Sequence, residues 1–202
     1  MIVFTPIDLP RIEPDNWEIF WDVWNKHKGS LVKVRMNHAH STAPIGNSVI
    51  WTGLDIYKKF NNQLPWDAPF VDIRQFLPNM YNTIHSLAPN IHRARLVQSQ
   101  VPIMSHSDDD RDIWNIRAFI HGHDPYKQWY FTRPHNSNGE RTYIDMPSDT
   151  NWFMYNDKYS WHGTDFDADN KKILLQLYFV GNPSVDYLTR SIEKYKQYTV
   201  EF

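Results

Sequence analysis

The 202-residue chain contains no cysteine. Disulfides, thiolate-bound zinc, iron–sulfur clusters and a cysteine nucleophile are therefore excluded. A cysteine-free chain fits a reducing compartment, and the expected location is the cytoplasm. Glycine is scarce, seven residues against thirteen prolines, so turns must draw on Pro, Asn and Asp. No apolar run approaches the roughly 20 residues needed to cross a bilayer. The opening residues MIVFTPIDLP carry Asp8 and no basic segment, so no signal peptide is expected. An excess of one charge is also missing. At a formal net charge of −2, a broadly basic nucleic-acid surface is not expected. The expected partner is a small molecule or a peptide, with neither nucleic acid nor membrane.

Aromatic residues, by contrast, make up 15% of the chain, nine of them Trp. They favour β-structure and a well-filled interior. The length suits a single domain over 1–202. Its first part, 1–90, reads as helical support and lead-in strands. Asp15 is a candidate cap for a helix through about Lys28, with Trp17, Phe20, Trp21 and Trp24 at helical spacing as core and Gly29 as its stop. A strand is expected from Ser30 to Asn37, irregular chain over 38–68, and a second helix over Asp72–Leu87 that Pro78 kinks or restarts. From residue 91 short strands follow one another: Ile91–Val101, Asp112–His121, Gln128–Thr132, Thr142–Met146, Trp152–Tyr155 and Lys172–Val180. That spacing predicts a mainly β, double-sheet or barrel-like core over 91–182. A C-terminal helix is expected within 183–202, at about Ser184–Tyr198.

The chemistry-bearing pattern is His106-Ser107-Asp108. On an extended chain, residues two apart project to the same face, so this imidazole and carboxylate can reach one metal ion. Two His and one carboxylate on one face of an octahedron leave the other positions open, the arrangement for O₂ activation at Fe(II). A third ligand must come from a distant strand, and His162, in Tyr159-Ser160-Trp161-His162-Gly163, is the natural candidate. Among ten histidines a His-x-Asp pair arises easily by chance, so its weight lies in the order of what surrounds it.

That order resembles the 2-oxoglutarate/Fe(II)-dependent oxygenases: His106-x-Asp108, then His162, then Lys172 at the head of an apolar strand. The resemblance covers roughly residues 91–182. Trp114-Asn115-Ile116-Arg117-Ala118-Phe119 and Trp152-Phe153-Met154-Tyr155-Asn156-Asp157 are similar to segments of the aspartyl/asparaginyl β-hydroxylase branch, and a Lys at position 172 is similar to some prolyl hydroxylases. Phe119 stands where the former branch tends to have His. The resemblance implies a double-stranded β-helix (jelly-roll) core with supporting helices. It implies His106, Asp108 and His162 as iron ligands, Fe(II), 2-oxoglutarate and O₂ as cofactor and cosubstrates, and hydroxylation of an aliphatic carbon of a free or peptidyl amino-acid side chain. Arg117 or Lys172, or both, would hold the distal carboxylate of 2-oxoglutarate: Arg117 as a bidentate fork, Lys172 as a point charge.

Strand alternation is expected to put Asn115, Arg117, Phe119 and His121 on one face. Trp129, Tyr130 and Arg133 are expected near a substrate mouth, with 38–68 and 133–141 as lid segments. Asp110 or Asp112 are candidate partners of a ligating His. Two rivals stand beside this reading. One is a cupin-like metalloenzyme without 2-oxoglutarate, using His121-Gly122-His123 or His38-Ala39-His40. The other is a non-enzymatic β-sandwich binding module.

Overall fold

The computed structural model of the chain describes residues 1–31, 51–59, 68–87, 91–99, 103–107, 114–121, 129–136, 138–165, 173–179 and 185–202. In chain order the elements are β1 (Ile2–Pro6), α1 (Trp17–His27), β2 (Gly29–Leu31), β3 (Trp51–Lys58), α2 (Pro78–Ser86), β4 (Ile91–Ser99), β5 (Ile103–His106), β6 (Trp114–His121), β7 (Trp129–Thr132), β8 (Thr142–Tyr143), β9 (Trp152–Asn156), β10 (Trp161–Thr164), β11 (Ile173–Phe179), α3 (Val185–Lys194) and β12 (Val200–Glu201). The strands form a mainly β architecture of two sheets with antiparallel ladders. An eight-stranded sheet runs β12-β1-β9-β6-β11-β4-β3-β2, and a four-stranded sheet runs β5-β10-β7-β8. From β4 to β11 the chain passes repeatedly between the sheets: β4, β6, β9 and β11 lie in the large one, and β5, β7, β8 and β10 in the small one.

The period of two along a strand explains two separate cores. On one face of the large sheet Leu54, Ile56, Leu96, Ile116, Ala118, Trp152, Met154 and Leu175 pack with Phe20 and Trp24 of α1 and Met80 and Ile84 of α2. On the other face Val97, Phe119, Phe153, Tyr155 and Leu174 meet Trp129 and Phe131 of the small sheet. Strand β9 is buried on both faces, which is why WFMYN reads as a continuous apolar run rather than an alternation.

The helices differ from expectation in their caps. Asn16, not Asp15, caps α1: its side-chain oxygen accepts from the Ile19 backbone N–H at 3.1 Å. Asp15 instead caps α2, accepting from the backbone N–H groups of Asn79 at 2.9 Å and Met80 at 3.1 Å. The residue preceding α2, Leu77, has no side chain able to do this. Pro78 restarts the helix rather than kinking it: a short 3₁₀ turn, Ile73–Gln75, comes first, and Pro78 occupies the opening turn of α2, where its missing N–H costs nothing. Gly29 begins β2 rather than only ending α1. A Cβ there would stand 2.6 Å from Pro69 Cγ. Within the aromatic stripe of α1, Phe20 and Trp24 are buried, but Trp17 is exposed.

Strands appear where irregular chain was expected. Trp51–Lys58 is a full strand, although Gly53 and Asp55 suit a strand poorly by propensity. The lead-in residues Ile2–Pro6 join the large sheet between β9 and β12. The C-terminal helix is shorter than expected, ending at Lys194, and the chain then returns as β12. Strands β5 and β10 are not among the expected spans, although extended chain is expected at His106 and a strand at His162, and they carry those two residues.

Candidate metal centre

Strands β5 and β10 are antiparallel neighbours, and His106 stands directly opposite His162. Directly opposed residues share a face, so both imidazoles project into the space between the sheets. Their ring centroids are 4.6 Å apart. Two imidazoles bound cis to one octahedral ion, with metal–nitrogen bonds of about 2.1 Å, have centroids roughly 4.5 Å apart. The pair therefore fits a shared metal ion.

The surroundings of His162 select one of its nitrogens. His162 is buried, and its Nδ1 lies 2.8 Å from Asp157 Oδ1. The other carboxylate oxygen of Asp157 accepts from Asn115 Nδ2 at 3.0 Å. A carboxylate is acceptor-only, so the neutral imidazole carries its proton on Nδ1 and presents the lone pair of Nε2. This is the arrangement that orients a metal-binding histidine. The Trp129 ring lies parallel to His162, with centroids 5.3 Å apart and an interplanar angle of 2°, and Tyr155 closes another side at 4.8 Å. Each ring removes freedom from the imidazole without competing for its nitrogen.

Arg117 belongs to the same interior. It pairs in register with Phe153 on β9 and Gln176 on β11. Its guanidinium carbon stands 5.1 Å from the Trp129 ring and 5.0 Å from the Tyr155 ring, the two rings that flank His162. Along the same row, Arg95 and Asp55 form a buried ion pair, with Arg95 Nε donating to Asp55 Oδ1 at 2.6 Å. Phe119 faces the interior as expected, but His121 does not. The β6–β11 register shifts before it, and His121 packs on Trp17 and Trp21 of α1, with centroids 5.6 and 4.8 Å away. The structure thus separates His121 from His106 and His162.

The structure brings His106, His162 and Arg117 together. Asp108 and Lys172 lie outside the described residues, as do Asp110, Asp112, His38, His40 and His123. Among the described residues no cluster of three metal-binding side chains occurs. Trp129 is not at a mouth but buried beside His162. Tyr130 lies on the opposite face, under the Arg141 guanidinium at 4.3 Å. Asp157 was missed by sequence reasoning as a partner of His162. Its one local signal was its place five residues before His162, across a turn.

No protein-family model matches the chain, and no curated protein matches it. Among solved structures it is similar to an oxidoreductase of the 2OG-Fe(II) oxygenase family from Burkholderia pseudomallei. That likeness has 8% identity and a TM-score of 0.40, over 70% of this chain and 73% of the other. At such overlap it carries no weight for activity or substrate, which rest on the geometry described above.

Proposed function

We propose that this chain is an Fe(II)- and 2-oxoglutarate-dependent dioxygenase that hydroxylates an aliphatic carbon, with an amino-acid side chain, free or in a peptide, as substrate. The observation that carries this reading is the directly opposed pair His106 and His162, with His162 Nδ1 held by buried Asp157. The passage of the chain between two sheets from β4 to β11 supports a double-stranded β-helix. Asp108, two residues beyond His106 in sequence, is the proposed third ligand, a hard oxygen donor beside two borderline nitrogens.

When bound, Fe(II) with 2-oxoglutarate and O₂ supplies oxidation of an unactivated C–H bond, with release of succinate and CO₂. The chain's own residues bind and orient. Asp157 keeps the His162 proton on Nδ1. Trp129, Tyr155 and Phe153 exclude water from the inner side of the pair, which strengthens electrostatic contacts there. Arg117 supplies the cation for the cosubstrate's distal carboxylate, with Lys172 as a second cation in the proposal. A planar guanidinium held beside two adjoining aromatic rings is preorganised for such a contact.

Anaerobic titration of the full chain with Fe(II) and then 2-oxoglutarate tests this. A weak visible absorption band is expected only when both are present, and succinate should form once O₂ and a substrate are supplied. His162→Ala should abolish iron binding. Arg117→Ala should leave it intact and raise the 2-oxoglutarate requirement about ten- to a hundredfold, the value of a charge-assisted hydrogen bond. Lack of both the band and succinate would favour a binding module and sink the oxygenase reading.

A further inference from the structure

The inner face of the large sheet changes character along its width. On the β6–β9 side it carries Phe119, Phe153 and Tyr155. On the β4–β3 side it carries charge. Arg95 and Gln176 stand in register with inward-facing Arg117, and directly opposed residues share a face. Asp55 is opposed to Arg95 in turn, and Lys58 to Arg93. Arg93 lies two residues from Arg95 on β4, so it shares the inward face as well. These groups converge on Asp55. Arg95 donates to it through Nε at 2.6 Å and Nη2 at 3.2 Å. Lys58 Nζ stands 3.2 Å and Arg93 Nε 4.0 Å from Asp55 Oδ2. Asp55, Arg93 and Arg95 are all buried.

Stability does not account for such a cluster. Taking charges out of water costs about as much as their pairing returns, and apolar side chains of similar volume often serve as well or better. Charge kept on an interior face points to a task. Gln176 marks where that task is performed. Its two neighbours across the sheet, Arg95 and Arg117, are buried, yet Gln176 is only half-buried. Solvent therefore reaches the inner face of β11 between the two arginines. A guanidinium has five N–H donors in a fixed fork. Asp55 engages two nitrogens of Arg95 and so fixes the plane of the fork. A planar, fixed fork with a second guanidinium beside it is suited to a carboxylate.

We propose that Arg93 and Arg95, held by Asp55, bind the α-carboxylate of a free amino acid whose side chain runs past Gln176 toward the His106–His162 pair. Two inter-strand steps of about 4.8 Å put the backbone of Arg95 roughly 10 Å from that of Arg117. The Arg117 guanidinium adjoins the two rings that flank His162, so an amino acid with an extended side chain covers the span. Burial of the arginines selects a free amino acid over a peptide. A peptide reaching Arg95 would carry main-chain amides into the interior, and each of them would need a partner there. The inference rests on the oxygenase reading for the reaction and narrows its substrate. The carboxylate site itself rests on register, burial and charge.

The test is calorimetric titration of the full chain, with redox-inert Zn(II) and 2-oxoglutarate present, using a panel of the standard L-amino acids and the α-amide of each one that binds. At least one free amino acid should bind, and its α-amide, which lacks the carboxylate, should bind about ten- to a hundredfold more weakly. The double variant Asp55→Asn, Arg95→Gln removes both charges of the pair together. It should weaken binding of that amino acid by a similar factor while binding 2-oxoglutarate as the parent does. If the double variant does not fold, the comparison of acid and amide on the parent decides. The proposal is overturned if no free amino acid binds, or if the amide binds as tightly as the acid. It is also overturned if the folded double variant binds the acid as the parent does, as when another carboxylate of the chain occupies both arginines. Tighter binding of the N-acetylated, C-amidated residue would overturn it in favour of a peptide substrate, and loss of 2-oxoglutarate binding in the folded variant would overturn it in favour of the cosubstrate. Carboxylate-dependent amino-acid binding without any binding of metal or 2-oxoglutarate would leave this site standing and remove the oxygenase reading alone.

Discussion

At the scale of single residues, the contact between His162 and Asp157 governs which imidazole nitrogen is presented to the interior. Asn115 in turn fixes the second oxygen of Asp157, so the carboxylate cannot rotate away without breaking two hydrogen bonds. Partners of metal-binding histidines are typically worth about ten- to a hundredfold in metal affinity. Asp157→Ala should therefore weaken Zn(II) or Co(II) binding by that amount, whereas Asp157→Asn, which retains an acceptor oxygen, should lose less. Equal affinities for Asp157→Ala and the parent protein in a competition titration would mean that the carboxylate does not orient His162. The His-x-Asp motif was legible from sequence because its spacing is local. The partner of His162 was not, because its role depends on how the turn between β9 and β10 folds back.

At the scale of elements, the caps of α1 and α2 show how a local signal can be read correctly and assigned to the wrong helix. Asp15 has the chemistry of an N-cap and precedes α1, yet its two oxygens serve the first N–H groups of α2. Asn16, one residue later, serves α1. Asp15→Ala should lower global stability by about 1 kcal/mol, the usual value of a cap. Amide hydrogen exchange should quicken over the first turn of α2 and not over α1. Asn16→Ala should give the converse pattern, and the same pattern for both variants would contradict the assignment. The spans of strands β5 and β10 are hard to read from sequence for a related reason. Each is four residues long, too short to display a period of two, and their hydrogen-bonding partners are remote in sequence.

At the scale of the whole molecule, the large sheet divides the interior into a helix-side core and a core between the sheets. Adjacent residues of β9 test that division. Phe153 faces the small sheet and touches Trp129, with centroids 5.5 Å apart, while Met154 faces the helices. Truncating either to Ala should cost about 2–5 kcal/mol through the cavity left behind. Only Phe153→Ala should also loosen Zn(II) binding, because it removes support from the ring that stacks on His162. A loss of metal affinity in both variants would show the two cores to be one.

Global stability should also depend on pH through two histidines away from the centre. Burial holds the imidazole of His121 below its usual value, and burial, with Arg93 nearby, does the same for His92. The unfolded chain then binds more protons than the folded one at mildly acidic pH. The stability from these groups is complete above the ordinary histidine pKa of about 6.5 and is lost as pH falls through it toward their lowered folded values. Denaturant midpoints at pH 8 and pH 5.5 should fall less steeply for a His92→Gln, His121→Gln double variant than for the parent. An identical decline would assign the effect to other groups.

The sequence by itself determined the mainly β character of the core after residue 91 and the helical stripe of α1, and it singled out His106 and His162 as candidates, while leaving open whether Pro78 kinks or restarts the second helix. These follow from periodicity, backbone chemistry and ligand type, all properties of short stretches. Only the tertiary structure decided that His106 and His162 stand opposite each other, that Asp157 sets the tautomer, that Arg117 lies beside Trp129 and Tyr155, and that His121 turns away to α1. Those facts depend on cross-strand register and on a shift in it at the end of β6. Register is set by the packing of two sheets against each other, and a residue's neighbours across a sheet carry no signature in its own segment of chain.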